Sequence, residues 1–173
     1  MGLTLLLGGA RSGKSALALR RAEDTGAAPV FVATAEAHDA EMGARIARHR
    51  AERDPSWRTI EAPLDLAEAL ADAPAPACVV VDCLSFWVAN LLQSGLGEEE
   101  VLGRAAAAAA SAADRDGTTI AVSNEVGMGV VPEFELGRRY RDLLGWVNTA
   151  WAERAEEALL VVAGRTLRLE AAG

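Results

Sequence analysis

A strand, a glycine-rich turn and a helix follow one another within the first 22 residues, and nothing else in the chain constrains its fold as tightly. Leu3-Thr4-Leu5-Leu6-Leu7 is an apolar run that reads as a buried strand. The turn is Gly8-Gly9-Ala10-Arg11-Ser12-Gly13-Lys14-Ser15, and Ala16 to Ala22 consists of good helix formers. Strand, GxxxxGK[ST] and helix in that order make a P-loop. Gly8 and Gly13 let the backbone fold around an anion with its N–H groups pointing inward. The following helix adds its positive N-terminal end. Lys14 supplies a point charge for the β- and γ-phosphates, and the Ser15 hydroxyl can ligate Mg²⁺. A chance glycine turn would also contain Gly8 and Gly9, but would not need the strand, the lysine and the helix. Gly8, Gly9, Ala10, Arg11, Ser12, Gly13, Lys14 and Ser15 are therefore expected to hold a nucleoside triphosphate.

At 173 residues and 51% hydrophobic content, the chain is expected to form one domain, residues 1–173, with a substantial core. Its formal net charge of −8 argues against a general nucleic-acid binder, which shows a basic footprint. A nucleotide needs only a local basic site. No apolar run approaches the roughly 20 residues of a membrane span, and the alanines at 105–110 have charged flanks. No signal peptide is expected, because residues 1–15 are the P-loop strand and turn. Cys78 and Cys83 fit reduced, buried thiols better than a disulfide framework or a metal site. The expected compartment is the cytoplasm.

Further along, Val30 to Ala33 is a short apolar strand ending at Thr34, and residues 38–53 are helical by propensity but thinly apolar. Arg45, His49 and Arg53 fall at i, i+4 and i+8 of that helix and line one face. Charge runs of this kind are usually solvated faces, so the stripe alone leaves the question open. Trp57 to Glu61 reads as a strand, Leu64 to Leu70 as a modest helix, and Ala77 to Asp82 as a continuous apolar strand ending in a carboxylate. In a parallel sheet beside the P-loop, Asp82 would lie at a strand's carboxyl end near Mg²⁺, in the manner of a Walker B aspartate. Leu84 to Leu92 is a helix in which Phe86 and Trp87 read as core. A helix from Glu98 runs through the alanines to about Asp116. Thr118 to Ser123 is a strand followed by the polar, glycine-containing loop 124–132, where Asn124 and Glu125 could be turn chemistry or could face substrate. Leu136, Tyr140, Leu143, Leu144, Val147 and Trp151 form an apolar helical stripe. Leu159 to Ala163 and Thr166 to Leu169 read as a strand and an edge hairpin partner. The alternation of strands and helices defines an α/β fold with a mainly parallel sheet.

Five blocks in order resemble one family: GGARSGKS at 8–15, VATAEAHDAEMGARIARHR at 32–50, WRTIEAP at 57–63, VVVDCLSFWVANLL at 79–92 and SNEVGMGVVP at 123–132. They are similar to the bifunctional adenosylcobinamide kinase/adenosylcobinamide-phosphate guanylyltransferases of cobalamin biosynthesis. The first block is generic, whereas the NEVGMGVVP and E-M-x-x-R-I-x-x-H blocks are far more specific. The resemblance implies a RecA-like P-loop fold with helices flanking the sheet, and a homotrimer. It implies phosphorylation of the aminopropanol hydroxyl of adenosylcobinamide by ATP or GTP, followed by GMP transfer from GTP through a guanylyl-histidine. The histidine that matches the nucleophile is His49. The resemblance also sets the guanine nucleotide against Ala33, Thr34, Ala35, Arg50, Ala51, Glu52, Arg53, Glu61 and Asp82, with Ser15 and Asp82 toward Mg²⁺. Some members carry a second histidine where this chain has Arg48, and some carry Glu where Asp82 stands.

Elementary chemistry agrees with that assignment. Nucleotidyl transfer by double displacement needs a neutral imidazole. Arginines one turn either side of His49 disfavour the imidazolium and can hold an α-phosphate. His38 has no such support and reads as a surface residue. Two other functions are compatible with a P-loop: a simple small-molecule kinase with an idle His49, and a nucleotide-dependent switch or assembly ATPase.

Overall fold

The computed structural model describes residues 2–37, 40–51 and 54–171, and within the helix 40–51 it leaves out the side chains of Glu41, Met42, Arg45, Arg48 and His49. The elements are β1 (Leu3–Gly8), α1 (Lys14–Asp24), β2 (Pro29–Ala33), α2 (Ala40–Ala51), β3 (Arg58–Glu61), α3 (Leu66–Ala71), β4 (Cys78–Asp82), α4 (Leu84–Gln93), α5 (Glu98–Asp114), β5 (Thr118–Asn124), α6 (Glu135–Arg154), β6 (Glu157–Val162) and β7 (Arg165–Leu169). One sheet contains all the strands in the order β3-β2-β4-β5-β1-β6-β7. Every pairing is parallel except β6 with β7.

Helices cover both faces of the sheet, which is why its central strands read as unbroken apolar runs. On one face Leu3, Leu5, Val30, Val32, Val79, Val81 and Ala121 pack against α3, α4, α5 and α6 through residues such as Leu70, Trp87, Leu91, Leu143 and Trp151. On the other, Leu6, Phe31, Val80, Ile120 and Val122 meet Ala18 and Ala22 of α1 and the ring of Trp57. The alanines of α5 have a packing role: Ala105, Ala108, Ala109 and Ala112 are fully buried, and their small side chains let α5 lie close to α3 and α6.

Two sequence expectations need adjustment. The helix from Glu98 stops at Asp114, because Arg115 turns extended and its guanidinium donates to the carbonyls of Ala77 (2.9 Å) and Thr118 (3.2 Å). In the last long helix, Leu136 does not join the apolar stripe but is 63% exposed. Tyr140, one turn later, bonds to the carbonyl of Ser85 just past the end of β4. The turn containing Leu136 therefore lies beyond the buried part of α6 that packs on the sheet, which begins at Leu143. The antiparallel edge hairpin is present as expected, and every residue of β7 is exposed.

Candidate nucleotide site

Gly8 is the last residue of β1, and its glycine has two causes: a φ of 154°, which side chains rarely adopt, and a close approach of β6. A Cβ there would stand 2.2 Å from the carbonyl oxygen of Val161 on β6, so the two strands can approach only without a side chain. We expect Gly8→Ala to lower stability by roughly 2–4 kcal/mol, an overpacking cost borne by backbone that cannot yield cheaply. A urea melt reads this; an unmoved midpoint would mean that β1 and β6 part freely. Gly13 also serves backbone conformation: its φ of 100° is left-handed, and it caps the start of α1. The loop is also tied to the β6–β7 turn by Gly164 N–H donating to the Ser12 carbonyl at 2.9 Å.

Lys14 is 7% exposed and lies at the centre of this loop. Its ammonium donates to the carbonyls of Gly8 (2.9 Å) and Gly9 (2.7 Å) and reaches the Ser12 hydroxyl at 3.4 Å. Burial lowers its pKa, and the nearby Cys83 and Asp82 partly counter that. A buried ammonium held only by neutral dipoles favours an anion arriving among the loop N–H groups. Arg11, at the loop's exposed crown, has a left-handed φ of 56°.

Asp82 ends β4, but β5 lies between β4 and the P-loop strand. The carboxylate is thus two strand spacings, about 10 Å, across the sheet from β1 rather than on the adjacent strand. It remains within electrostatic range of Lys14. The chain just beyond Asp82 is pinned by buried polar bonds. Thr34 Oγ1 accepts from the Cys83 N–H and donates to the Cys83 carbonyl, both at 2.8 Å. Asn90 Nδ2 donates to the carbonyls of Thr34 (2.7 Å) and Pro63 (3.2 Å). The Cys83 thiol lies 2.9 Å from the Ser85 hydroxyl, and burial with the neighbouring Asp82 pushes it up to about 11. It therefore stays protonated at neutral pH. Cys78 and Cys83 are both free, buried thiols, as the sequence indicated. Trp87 is core, its indole N–H donating to the Leu64 carbonyl at 2.9 Å, and Phe86 packs half-buried against the smaller cluster.

At the end of β5 the Asn124–Glu125 pair divides into two roles. The Glu125 carboxylate accepts from Gly127 N–H and Met128 N–H, so it closes its own turn. Its backbone N–H donates to the Gly8 carbonyl at 3.0 Å. Asn124 turns inward, with Nδ2 donating to the Ser85 hydroxyl at 3.0 Å. Asn148 of α6 steadies it, donating to the Asn124 carbonyl (3.1 Å) while accepting from the Ser123 hydroxyl (2.6 Å). Burial pushes the Tyr140 phenol, which donates to the Ser85 carbonyl at 3.1 Å, up to about 12. Sequence reasoning missed Ser85, Asn90, Asn148 and Tyr140 as parts of this framework. Asn148 carried a signal, being a polar residue within the apolar stripe between Leu144 and Trp151.

A second group lies toward the other side of the sheet. Ala33 ends β2, Thr34 and Ala35 follow it, and Glu61 ends β3 beside them. The Ala33 carbonyl accepts from Ala62 N–H at 2.8 Å, so of Ala33, Thr34 and Ala35 only Ala35 keeps its polar groups outside this network. From α2, Arg50 Nη2 lies 3.8 Å from Glu61 Oε1, with both side chains mostly exposed, a pair worth little by itself. Under α2 an open hollow of about 430 Å³ is lined by Ala37, Gly43, Ile46, Ala47, Arg50 and Ala51. His49 belongs to α2, but its side chain and that of Arg45 lie outside the described residues, as do Glu52, Arg53 and His38 entirely. Strands β5 and β4 separate β1 from β2, so this group is about 14 Å along the sheet edge from the P-loop. Among the described residues no cluster of three or more His, Cys, Asp or Glu could hold a metal by itself, and no helix is long and apolar enough to cross a membrane.

A parallel sheet with the P-loop strand and the aspartate-bearing strand separated by one intervening strand, and helices on both faces, defines a RecA-like P-loop nucleotide-binding protein. Solved structures bear this out at the level of fold. PH0250 from Pyrococcus horikoshii is similar at a TM-score of 0.59 and 10% identity, over 99% of this chain and 87% of that one. The type III secretion ATPase EscN of enteropathogenic Escherichia coli is similar at 0.57 and 12%, over 94% of this chain and 43% of that one. The chain belongs to the cobinamide kinase / cobinamide phosphate guanyltransferase family, whose model matches residues 4–169. It is 49% identical over 172 residues to the bifunctional adenosylcobalamin biosynthesis protein CobP of Pseudomonas aeruginosa, covering 96% of each chain. It is 35% identical over 181 residues to the bifunctional adenosylcobalamin biosynthesis protein CobU of Escherichia coli, covering 97% of this chain and 99% of that one. It is thus a bifunctional kinase and guanylyltransferase of cobalamin biosynthesis, and the switch or assembly-ATPase alternative falls away.

Proposed function

We propose that this protein transfers the γ-phosphoryl group of ATP or GTP to the aminopropanol hydroxyl of adenosylcobinamide, and then joins GMP from GTP to the new phosphate through His49. In the first reaction the hydroxyl oxygen attacks the γ-phosphorus and loses its proton, and the bond to the β-phosphate oxygen breaks to release the nucleoside diphosphate. In the second, a neutral His49 nitrogen attacks the α-phosphorus of GTP and pyrophosphate leaves. An oxygen of adenosylcobinamide phosphate then attacks that phosphorus and breaks the P–N bond, giving adenosylcobinamide-GDP and free histidine.

The observation that carries this reading is the arrangement of two groups along one sheet edge: the P-loop with its buried Lys14, and the β2–α2–β3 group with Arg50 and Glu61, with Asp82 between them. Gly8 to Ser15 would take the triphosphate. Ala35, Arg50, Ala51, Glu52, Arg53 and Glu61 would surround the guanine nucleotide. The Thr34 hydroxyl, bonded on both sides to Cys83, would shape that site rather than touch the ligand. We further propose a single domain and, from the family resemblance, a homotrimer, which light scattering would read.

The donor set suits Mg²⁺ carried with the nucleotide: one hydroxyl, Ser15, and one carboxylate, Asp82, are the partial oxygen shell that this ion accepts alongside phosphate and water. Bound there, Mg²⁺ would neutralise charge on the phosphates. We expect Asp82→Asn to fold normally but to need several-fold more Mg²⁺, both for activity and for binding a fluorescent nucleotide, since the amide keeps the shape and loses the charge. An unchanged Mg²⁺ titration would reduce Asp82 to a strand-end residue.

The whole reading is tested by incubating the protein with adenosylcobinamide, Mg²⁺ and GTP and separating the phosphate from the GDP adduct. α-Labelled GTP alone should leave covalent label on the protein after denaturing electrophoresis. A simple kinase with an idle His49 would phosphorylate and stay unlabelled.

A further inference from the structure

After Val126, which packs against the core, the segment between β5 and α6 and the first turn of α6 expose their large apolar residues: Met128 at 77%, Val130 at 94%, Val131 at 58%, Phe134 at 77% and Leu136 at 63%. Single exposed apolar residues are ordinary on soluble proteins, but a run this dense marks a binding surface. The exposure is built in. Glu125 closes the start of the segment through Gly127 N–H and Met128 N–H, and the Arg138 guanidinium closes its end by donating to the carbonyls of Pro132 and Glu133. Pro132 packs so close to Gly137 that a Cβ there would come within 2.8 Å of it.

Both ends are also fastened to the nucleotide site. Glu125 N–H donates to the Gly8 carbonyl at 3.0 Å, at the root of the P-loop. The Tyr140 hydroxyl donates to the Ser85 carbonyl at 3.1 Å, three residues past Asp82. The segment therefore leaves from beside the root of the P-loop, and the helix it enters is fastened near the end of the aspartate strand. From Val126 to Pro132 it contains no charged side chain.

We propose that residues 126–136 form the platform for the corrin macrocycle of the acceptor substrate, with the ring lying over Val130, Val131 and Phe134 and the aminopropanol arm reaching into the P-loop. This rests on the kinase reading above. Phosphoryl transfer requires the acceptor oxygen within about 3–3.5 Å of the γ-phosphorus. The bulky ring that carries that short arm must then rest on surface adjoining the loop. The corrin macrocycle is broad and carries methyl groups and uncharged amide arms, and a strip beside the P-loop that is apolar from Val126 to Val131, with Glu133 and Glu135 flanking Phe134 and no cation from 126 to 136, matches it, whereas a phosphate-bearing ligand would call for cations there. The competing occupant is a second copy of this chain.

The test is the full-length double variant Val130→Ser/Phe134→Ser, whose changes fall on exposed side chains. Equilibrium dialysis against adenosylcobinamide, read by its visible absorbance, and the KM for adenosylcobinamide should each shift at least tenfold toward weaker binding. The KM for nucleotide, covalent labelling by α-labelled GTP alone, and the molar mass by light scattering should not change. Phe134→Leu, which keeps an apolar surface, should bind nearly as the native protein does. Unaltered corrinoid binding in the double variant overturns the proposal. So does a drop in molar mass with corrinoid binding intact, which would give the surface to a second copy. If the native protein binds adenosylcobinamide, the double variant does not, and neither transfers phosphate, the platform stands and the kinase reading falls.

Discussion

Lys14→Ala should depress phosphorylation of adenosylcobinamide and GMP transfer together, each by a factor of about 30 to 1,000. The ammonium is nine-tenths buried and reaches two P-loop carbonyls, so it stands where the phosphate chain of a bound nucleotide would lie. Charge-directed contacts of this kind contribute on the order of 2–4 kcal/mol in the transition state, which is that range of rate. Both reactions should suffer because both begin from a triphosphate held by one loop. Stability should not fall in step, since burial already opposes the charged form of Lys14 and the variant removes that penalty. Thermal melts alongside single-turnover assays of each step separate the two effects. Near-normal kinetics for both steps would show that the loop is not the shared triphosphate site. Loss of the kinase step alone would seat the GTP of the second reaction on the β2–α2–β3 side of the sheet.

What the sequence made legible followed from how strongly each residue type is constrained. The P-loop could be read whole, because a tight anion-binding turn admits few residues, and β1, the turn and α1 lie where the motif requires. The parallel strands were legible because strands buried on both faces must be apolar throughout, as Val79-Val80-Val81 is. Other features depend on partners distant in sequence. Besides its positive φ, position 8 excludes a side chain through a clash with Val161, more than 150 residues later. The hydroxyl of Thr34 is occupied by the Cys83 peptide, and Asn90 closes the same knot, though nothing local to any of the three announces it. Leu136 had the right period to be buried, and failed only because its turn lies beyond the buried part of α6. Glu125 could not be sorted from Asn124 by chemistry alone; the difference is that one side chain folds back on its own turn and the other points to Ser85.

His49→Ala should abolish the guanylyl-enzyme and the GDP adduct while phosphorylation of adenosylcobinamide persists. Transfer of a γ-phosphoryl group directly to a hydroxyl needs no covalent enzyme intermediate, and the P-loop lies about 14 Å from the strand that leads to α2. The substitution therefore removes the nucleophile of the second reaction and leaves untouched the P-loop, on which the first reaction also depends. Alanine is also the residue best suited to a helix interior, so α2 should be retained. Native enzyme incubated with α-labelled GTP should carry a phosphoramidate, labile in acid and stable in base. Hydrolysis should release GMP and not GDP, because the bond to nitrogen is formed at the α-phosphorus. A His49→Ala protein that still acquires label would transfer the nucleophile's role to another residue. A folded variant that loses both reactions equally would make His49 part of general nucleotide binding. Retained phosphorylation with no label and no adduct is the one pattern that a double displacement through this histidine produces.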